Sequence, residues 1–269
     1  MSYAEIARSL QLCVIIPTYN NKGTIVQVVE DVSQYCHDIF VVCDGPTDGT
    51  RELVEETANI SKFKIQNSNG QEETANIQVV AYTPNKGKGT ALVTGFREAL
   101  RQGFRYAITL DSDGQHYASD IPAFLERIAL NEDSLLIGSR GLKHDNMPQK
   151  NTFANKFSNF WFTVQTGLKL PDTQTGFRLY PLQKMGTMKL ITSRYEAELE
   201  LLVRSAWRNI PIVPLPIKVY YPPAEERVSH FRPAKDFTRI SILNTFFCFA
   251  AILYGYPSML IRKALERKH

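Results

Sequence analysis

"YAITLDSDGQH" (106–116) is the stretch on which the reading of this 269-residue chain turns. An apolar, strand-like run ends in two carboxylates one residue apart, Asp111 and Asp113, followed by Gly114, Gln115 and His116. Alternate side chains of a β-strand share a face, so strand geometry carried through Ser112 would aim both acids the same way. Two anions held together repel unless a cation or several donors stand between them. The competing reading is a solvated turn, since Asp, Ser and Gly are ordinary turn residues.

The flanking pattern decides against the plain turn. "LCVII" (12–16, stopped by Pro17), "IFVVC" (39–43), "IQVVAY" (77–82) and "LLIGS" (135–139) are short apolar runs of the kind buried in parallel sheets. Helical patterns alternate with them. Ile25, Val28, Val29, Val32, Tyr35 and Cys36 recur at helical spacing behind Thr24 and Gln27, which have capping-box spacing. "RELVEETA" follows the second strand, and Ala91, Leu92, Phe96, Ala99 and Leu100 mark a helix after the third. Residues 60–75 are polar and read as a surface excursion. Such βα alternation makes a mostly parallel sheet, whose ligands bind at the carboxyl ends of the strands. "PTYN", "DGPTDG", "NKGKG" and "DSDGQH" all fall at those ends.

Beyond residue 140 the pattern changes. "MPQKNTFANKFSNFWFTVQTGL" reads as a helix with an aromatic face of Phe153, Phe157, Phe160 and Trp161. "DTQTGFRLY" is a turn into a strand, "YEAELELLVRSAWRN" a helix, and "IPIVPLPIKVYY" a Pro-broken edge strand. "PPAEERVSHFRPAKDF" (222–237) reads as a mobile segment able to close over a site, carrying His230 and Arg232. Residues 240–261 hold no charge and would span about 33 Å as a helix. With basic flanks on both sides, they suit a membrane span, an anchor lying on an anionic leaflet, or a buried hairpin or dimer contact. The chain thus divides into a catalytic domain (1–220), a mobile loop (221–239) and a membrane-associating segment (240–269).

Composition is that of a soluble globular protein, 43% hydrophobic and 22% charged. A net charge of +4 suits anionic small molecules or an anionic membrane surface and is too weak to argue for nucleic acid. Four cysteines without a CxxC pair read as reduced thiols, and the N-terminus does not look like a secretory signal, so a cytoplasmic catalytic part is expected.

The nucleotide chemistry narrows by elimination. No GxGxxG follows the first strand, and "TPNKGKGT" lacks the first Gly of a P-loop. The Gly-rich loop with Arg expected of a sugar-nucleotide pyrophosphorylase is also missing. What stands is a carboxylate pair at a strand end, with Lys86 and Lys88 where an anion could approach. Mg²⁺ or Mn²⁺ favours carboxylates plus substrate phosphates. Asp113 is the candidate metal ligand, and Asp111 bonds the nucleotide's sugar or supports the metal.

In their order, "IIPTYNN", "VVCDGPTDGT", "NKGKGTAL", "LDSDGQH", "GSR" and "DTQTGFR" resemble the inverting glycosyltransferases of family 2, over roughly residues 12–220. Within that family they are most similar to the dolichyl- and polyprenyl-phosphate mannosyl- and glucosyltransferases. The resemblance implies an α/β GT-A (Rossmann-like) fold, a mostly parallel sheet flanked by helices, here followed by a hydrophobic helical segment. It implies that Pro17, Tyr19 and Asp44 hold the nucleoside of a UDP- or GDP-hexose and that Lys88 lies near this donor. Asp111, Asp113 and Gln115 would serve nucleotide and metal, and Arg140 and Arg178 would face phosphates. Asn21 stands where the family often has an acid, and Cys43-Asp44 where it often has Asp-Asp.

Two acceptor chemistries stay open. A hydroxyl acceptor needs a general base, for which Glu196, Glu198 and Asp172 are candidates. A lipid phosphate is already anionic and needs none, and Arg140 and Arg178 then become clamps. His230 could touch the diphosphate or the acceptor. The expectation is a metal-dependent, inverting hexosyl transfer to a lipid-linked acceptor at the cytoplasmic face of a membrane, by a monomer or a homo-oligomer. The alternatives are a soluble transferase acting on hydroxyls and a nucleotide-sugar-binding protein without turnover.

Overall fold

Strand β1 (Leu12–Thr18) is buried at every position, with Leu12, Val14 and Ile16 in one core and Cys13 and Ile15 in another. Strand β2 (Asp38–Asp44) repeats the division, Ile39, Val41 and Cys43 on one face and Phe40 and Val42 on the other. A strand covered on both faces has no polar side, which is why these runs are unbroken in sequence. A computed structural model describes residues 1–59, 64–66, 69–70, 72–141, 149–186, 188–221 and 233–266. Its seven-stranded sheet has the order β5 (Asn76–Tyr82), β2, β1, β6 (Tyr106–Thr109), β8 (Arg178–Pro181), β7 (Leu135–Arg140), β9 (Ile212–Ile217). Every neighbour pair is parallel except those made by β8. Pro-broken β9 lies at the edge, as expected.

One face is covered by α1 (Tyr3–Ser9), α2 (Ile25–Ser33), α3 (Thr50–Asn59) and α5 (Ile121–Leu130). The other carries α4 (Lys88–Arg101), α6 (Gln149–Thr166), α7 (Leu182–Met185) and α8 (Glu196–Trp207). Within the polar excursion at 60–75, β3 (Lys64–Gln66) and β4 (Glu72–Thr74) pair as an antiparallel ribbon.

Several local expectations are corrected. Pro17 does not stop β1, because β6 pairs with that strand only as far as Ile15 and the proline faces β2 alone. Thr24 and Gln27 form no capping box. The Thr24 hydroxyl donates to the Ser112 carbonyl at 2.6 Å, an acceptor brought in by the β6 loop, and Gln27 Nε2 donates to Asp31 Oδ1 at 2.9 Å. On α6, Phe160 is exposed and Phe162 is the buried ring. The buried face there is largely polar (Asn155, Ser158, Gln165), because the 171–175 loop and the C-terminal helix present polar partners to it.

The C-terminal helix begins at Pro233, so 233–239 is helical rather than part of a loop, and residues 222–232, with His230 and Arg232, lie outside the described residues. It runs as α9 (Pro233–Ala250) through a π-helical turn (Ala251–Gly255) into α10 (Tyr256–Glu266). Pro257 has no N–H to give to the preceding turn and its ring crowds that turn, which the wider π geometry relieves. One side docks on α6 and α8. Leu243, Phe247 and Ala251 are buried, Gln165 Nε2 donates to Asn244 Oδ1 at 2.9 Å, and Ser258 Oγ donates to the Trp207 carbonyl at 3.0 Å. The other side exposes Ile242, Phe249, Ile252, Leu253, Leu260 and Ile261. Among the described residues, Thr238–Leu265 is long and apolar enough to cross a membrane by length and composition, with 28% of its most apolar window buried.

Candidate active site

Because β5, β2, β1 and β6 are parallel, the loops that follow them leave from one edge, and polar side chains tie those loops together. Thr47 N donates to Asn20 Oδ1 at 2.8 Å, Asn21 Nδ2 to Ser112 Oγ at 2.6 Å, and Lys22 N to Asp48 Oδ2 at 3.2 Å. Pro17 and Tyr19 sit where β1 enters this network. Asp44 is buried and takes N–H bonds from Lys86 (2.7 Å) and Gly87 (2.8 Å) and from Asn85 Nδ2 (2.9 Å). Its carboxylate therefore shapes the turn into α4, which Gly87 makes with a φ of 100°.

Lys88, the first residue of α4, reaches between two acids. Its Nζ lies 2.5 Å from Asp111 Oδ1 and 3.0 Å from Glu198 Oε2. Burial alone would lower the lysine's pKa, but the two carboxylates outweigh it and hold the group protonated well above its usual range. Gly176 lies against this pair, where an added Cβ would stand 2.7 Å from Asp111 Oδ2 and 2.9 Å from Lys88 Nζ.

The two acids of the opening stretch are neighbours, though not on one strand face. β6 ends at Thr109, and a turn through Ser112 and Gly114 follows, in which Asp113 Oδ1 accepts from Gln115 N at 3.0 Å. Asp111 is held below the ordinary carboxylate range by Lys88 against the opposing effect of burial. Asp113 is pushed up to about 6, by burial first and by the charge of Asp111 second. Among the described residues this carboxylate has no ion-pair partner, and the donor set fits a divalent cation. Among the described residues no group of three or more His, Cys, Asp or Glu could hold a metal. Ligand oxygens would therefore complete a site at Asp113, with Asp111 or Gln115 beside it, as Mg²⁺ accepts readily.

Antiparallel β8 begins at the edge where β6 ends, Arg178 opposite Thr109, and so brings residues 172–177 to the same place. The charges here are built into the scaffold. Asp172 is wholly buried and takes Arg140 Nε at 2.6 Å and Nη2 at 3.0 Å, Asn155 Nδ2 at 2.7 Å and Gln174 N at 3.0 Å. Burial would raise its pKa, yet the Arg140 guanidinium and these donors hold it below the usual range. That corrects its candidacy as a general base. Arg178 is also wholly buried, donating to the carbonyls of Thr175 (2.8 Å), Glu198 (2.7 Å) and Thr173 (3.0 Å). It holds the loop and the start of α8, and does not face a phosphate as expected.

The acids of α8 form no solvated face. Glu198 meets Lys88, and Glu200 accepts from Thr192 Oγ1 at 2.6 Å and pairs with Arg204. Glu196 is buried, and among the described residues its Oε2 has no partner.

His116 was not singled out from sequence, although it closes the "DSDGQH" stretch. Its ring meets Phe177 edge-on at 5.5 Å, and its buried Nδ1 has no partner among the described residues. Asp111, Lys88, Arg140 and Asp172 all act on it electrostatically, and burial, the largest effect, lowers its pKa to about 4.

The profile described as "Glycosyl transferase family 2" matches residues 13–184. A UDP-N-acetylglucosamine--dolichyl-phosphate N-acetylglucosaminyltransferase of Methanococcus voltae is 31% identical, over 77% of this chain and 84% of its own. A polyprenol monophosphomannose synthase of Mycolicibacterium smegmatis is 28% identical, over 80% of this chain and 79% of its own. In structure, glucosyl-3-phosphoglycerate synthase of Mycobacterium tuberculosis, solved with Mn²⁺, UDP-glucose and phosphoglyceric acid, aligns with a TM-score of 0.62 at 14% identity. That match covers 93% of this chain and 82% of the other.

Proposed function

The chain belongs to glycosyl transferase family 2, and from that premise we propose that it moves a hexose from a nucleotide diphosphate to a lipid-linked phosphate, with inversion, at a membrane surface. The names of its relatives support lipid phosphates as acceptors. The observation that carries the choice of acceptor is the state of the candidate bases. Asp172 is saturated by Arg140 and other donors, and Glu198 is tied to Lys88. A phosphate oxygen needs no deprotonation to attack, because it is already an anion near neutral pH.

In this mechanism the acceptor oxygen attacks the anomeric carbon from the face opposite the diphosphate. The carbon–oxygen bond to the diphosphate breaks, and its electron pair leaves with that group. Lys88 would meet the departing charge, and Arg140, whose Nη1 is not engaged by Asp172, would contact the incoming phosphate. A divalent cation held by Asp113 would neutralise charge on the diphosphate, a use supported by the metal ions in the structural neighbour. The exposed apolar side of the C-terminal helix would lie on the cytoplasmic face of the membrane, where the lipid's phosphate could reach the strand ends.

Glu196, with its unpartnered Oε2, favours the alternative hydroxyl chemistry. Glu196→Gln separates the two. Transfer to a polyprenyl phosphate that survives in this variant supports the lipid-phosphate reading. Activity confined to soluble hydroxyl acceptors and abolished by Glu196→Gln defeats it.

A further inference from the structure

A cavity of about 280 Å³ opens between the C-terminal end of α8 and the helix that follows Pro233. Its α8 lining runs from Arg204 to Arg208, six to ten residues after Glu198, which is about 9–15 Å along the helix axis from the Lys88–Glu198 pair. Its lining is partly aromatic, with Trp207 meeting Phe247 and Tyr254 edge-on at centroid distances of 5.4 and 6.0 Å. Trp207 is fixed there, its Nε1 donating to the Gln165 carbonyl at 2.8 Å and its indole abutting Gly255.

Two arginines line the same cavity. Arg204 Nε stands 2.8 Å from Glu200 Oε1 but off the N–H axis, so the pair is ionic without a hydrogen bond, and the side chain stays 29% exposed. Arg208 donates Nη1 to the Met185 carbonyl and leaves the rest of its guanidinium to other acceptors. Around the cavity, Ile242, Phe246, Phe249 and Leu253 are exposed apolar side chains. Two guanidinium groups and aromatic rings in one lining, with exposed apolar side chains on the same helix, match a molecule with one anionic oxygen cluster and a hydrocarbon tail.

We infer that this cavity binds the headgroup phosphate of an anionic membrane phospholipid, at a site separate from the phosphate that accepts the sugar, an assignment that rests on the membrane placement proposed above. The occupant is chosen by charge complementarity, since Glu200, the acid beside the arginines, is wholly buried and already paired.

Trp207 is the reporter. Of the two tryptophans, Trp161 is replaced in a Trp161→Phe background. Phosphatidylcholine vesicles containing about a third phosphatidylglycerol are added, with bromine on the acyl chains of one lipid or the other. Expected is stronger quenching of Trp207 by the brominated anionic lipid than by an equal fraction of the brominated neutral one. Arg208→Gln should weaken binding to the anionic vesicles by about fivefold and leave neutral vesicles unaffected. Arg204→Gln/Arg208→Gln should reach roughly thirtyfold. The single variant keeps the test decisive should loss of the Glu200 partner unfold the double one. Equal quenching by both lipids overturns the assignment, as does inorganic phosphate perturbing Trp207 as strongly without vesicles. Equal binding to neutral and anionic vesicles leaves the membrane placement standing and defeats the cavity, whereas binding to neither defeats both.

Discussion

The loops that follow β1, β2 and β6 and the loop that precedes β8 meet at one sheet edge, but they are held there by different means. The first group is delivered by topology, because parallel strands with returning helices send every such loop to the carboxyl edge. Ties such as Asn21 Nδ2 to Ser112, the Thr47 N–H to Asn20 and the donors on Asp44 then hold it, and among the described residues Asp113 has no ion-pair partner. β8 runs the other way, and residues 172–177 have to turn back along the edge to enter it. Their carbonyls are held by Arg178, and Asp172 is clamped by Arg140. Asp113 of the first region is left for a ligand, whereas Asp172 and Arg178 of the second are taken up by the scaffold, even where the residue types look alike in sequence.

The largest test of that contrast is Asp113→Ala. Turnover should fall by about a thousandfold or more, with metal-dependent nucleotide binding lost and the melting temperature nearly unchanged. Undiminished transfer by this variant, or by the wild type in excess chelator, would break the assignment of Asp113 to the chemistry. Arg178→Met should do the reverse. Three buried carbonyls lose their donor, and unfolding by denaturant should show a loss of about 3–5 kcal/mol. A stable variant defective only in kcat would return Arg178 to the phosphates.

Asp172→Asn is expected to cost about 2 kcal/mol near neutral pH, and its pH dependence sharpens the comparison. The native carboxyl titrates below the ordinary aspartate value of about 3.9, so its stabilisation is fully present above that value and fades as pH falls through the lower native one. The gap in melting temperature between wild type and variant should therefore be flat at pH 5 and above and close below about pH 4. A gap that instead closes on the alkaline side refutes the ion-pair role. The smallest effect belongs to a tie in the first region. Thr24→Val removes one hydrogen bond to the Ser112 carbonyl and should lower stability by about 1 kcal/mol, read from the same denaturant curves.

The C-terminal segment shows how far sequence reasoning carries. Freedom from charge at 240–261 was legible, and so was a membrane-sized helix. That the helix is docked along one side was not, because it depends on Gln165 finding Asn244 and on Trp207 packing against Phe247, residues far apart in the chain. Asp111 and Asp113 were found for a partly mistaken reason. They are neighbours through a turn, not through an alternating strand. His116 carried a signal in its place within "DSDGQH" but had no partner nearby in sequence to give that signal a meaning.

The sequence by itself determined the alternation of strands and helices, the mostly parallel character of the sheet, the edge at which polar loops gather and the family to which the chain belongs. All of these depend on periodicity and short ordered motifs, which are local properties of a chain. The tertiary structure decided which charges face a ligand. Arg140 and Arg178, Asp113 and Asp172, and Glu196 and Glu200 are indistinguishable by residue type. What separates them is whether donors and acceptors from distant segments come within hydrogen-bonding distance, as Glu198 does for Arg178 and Asn155 for Asp172. A buried charge takes whatever partner the fold brings to it, and only the folded chain sets that partner.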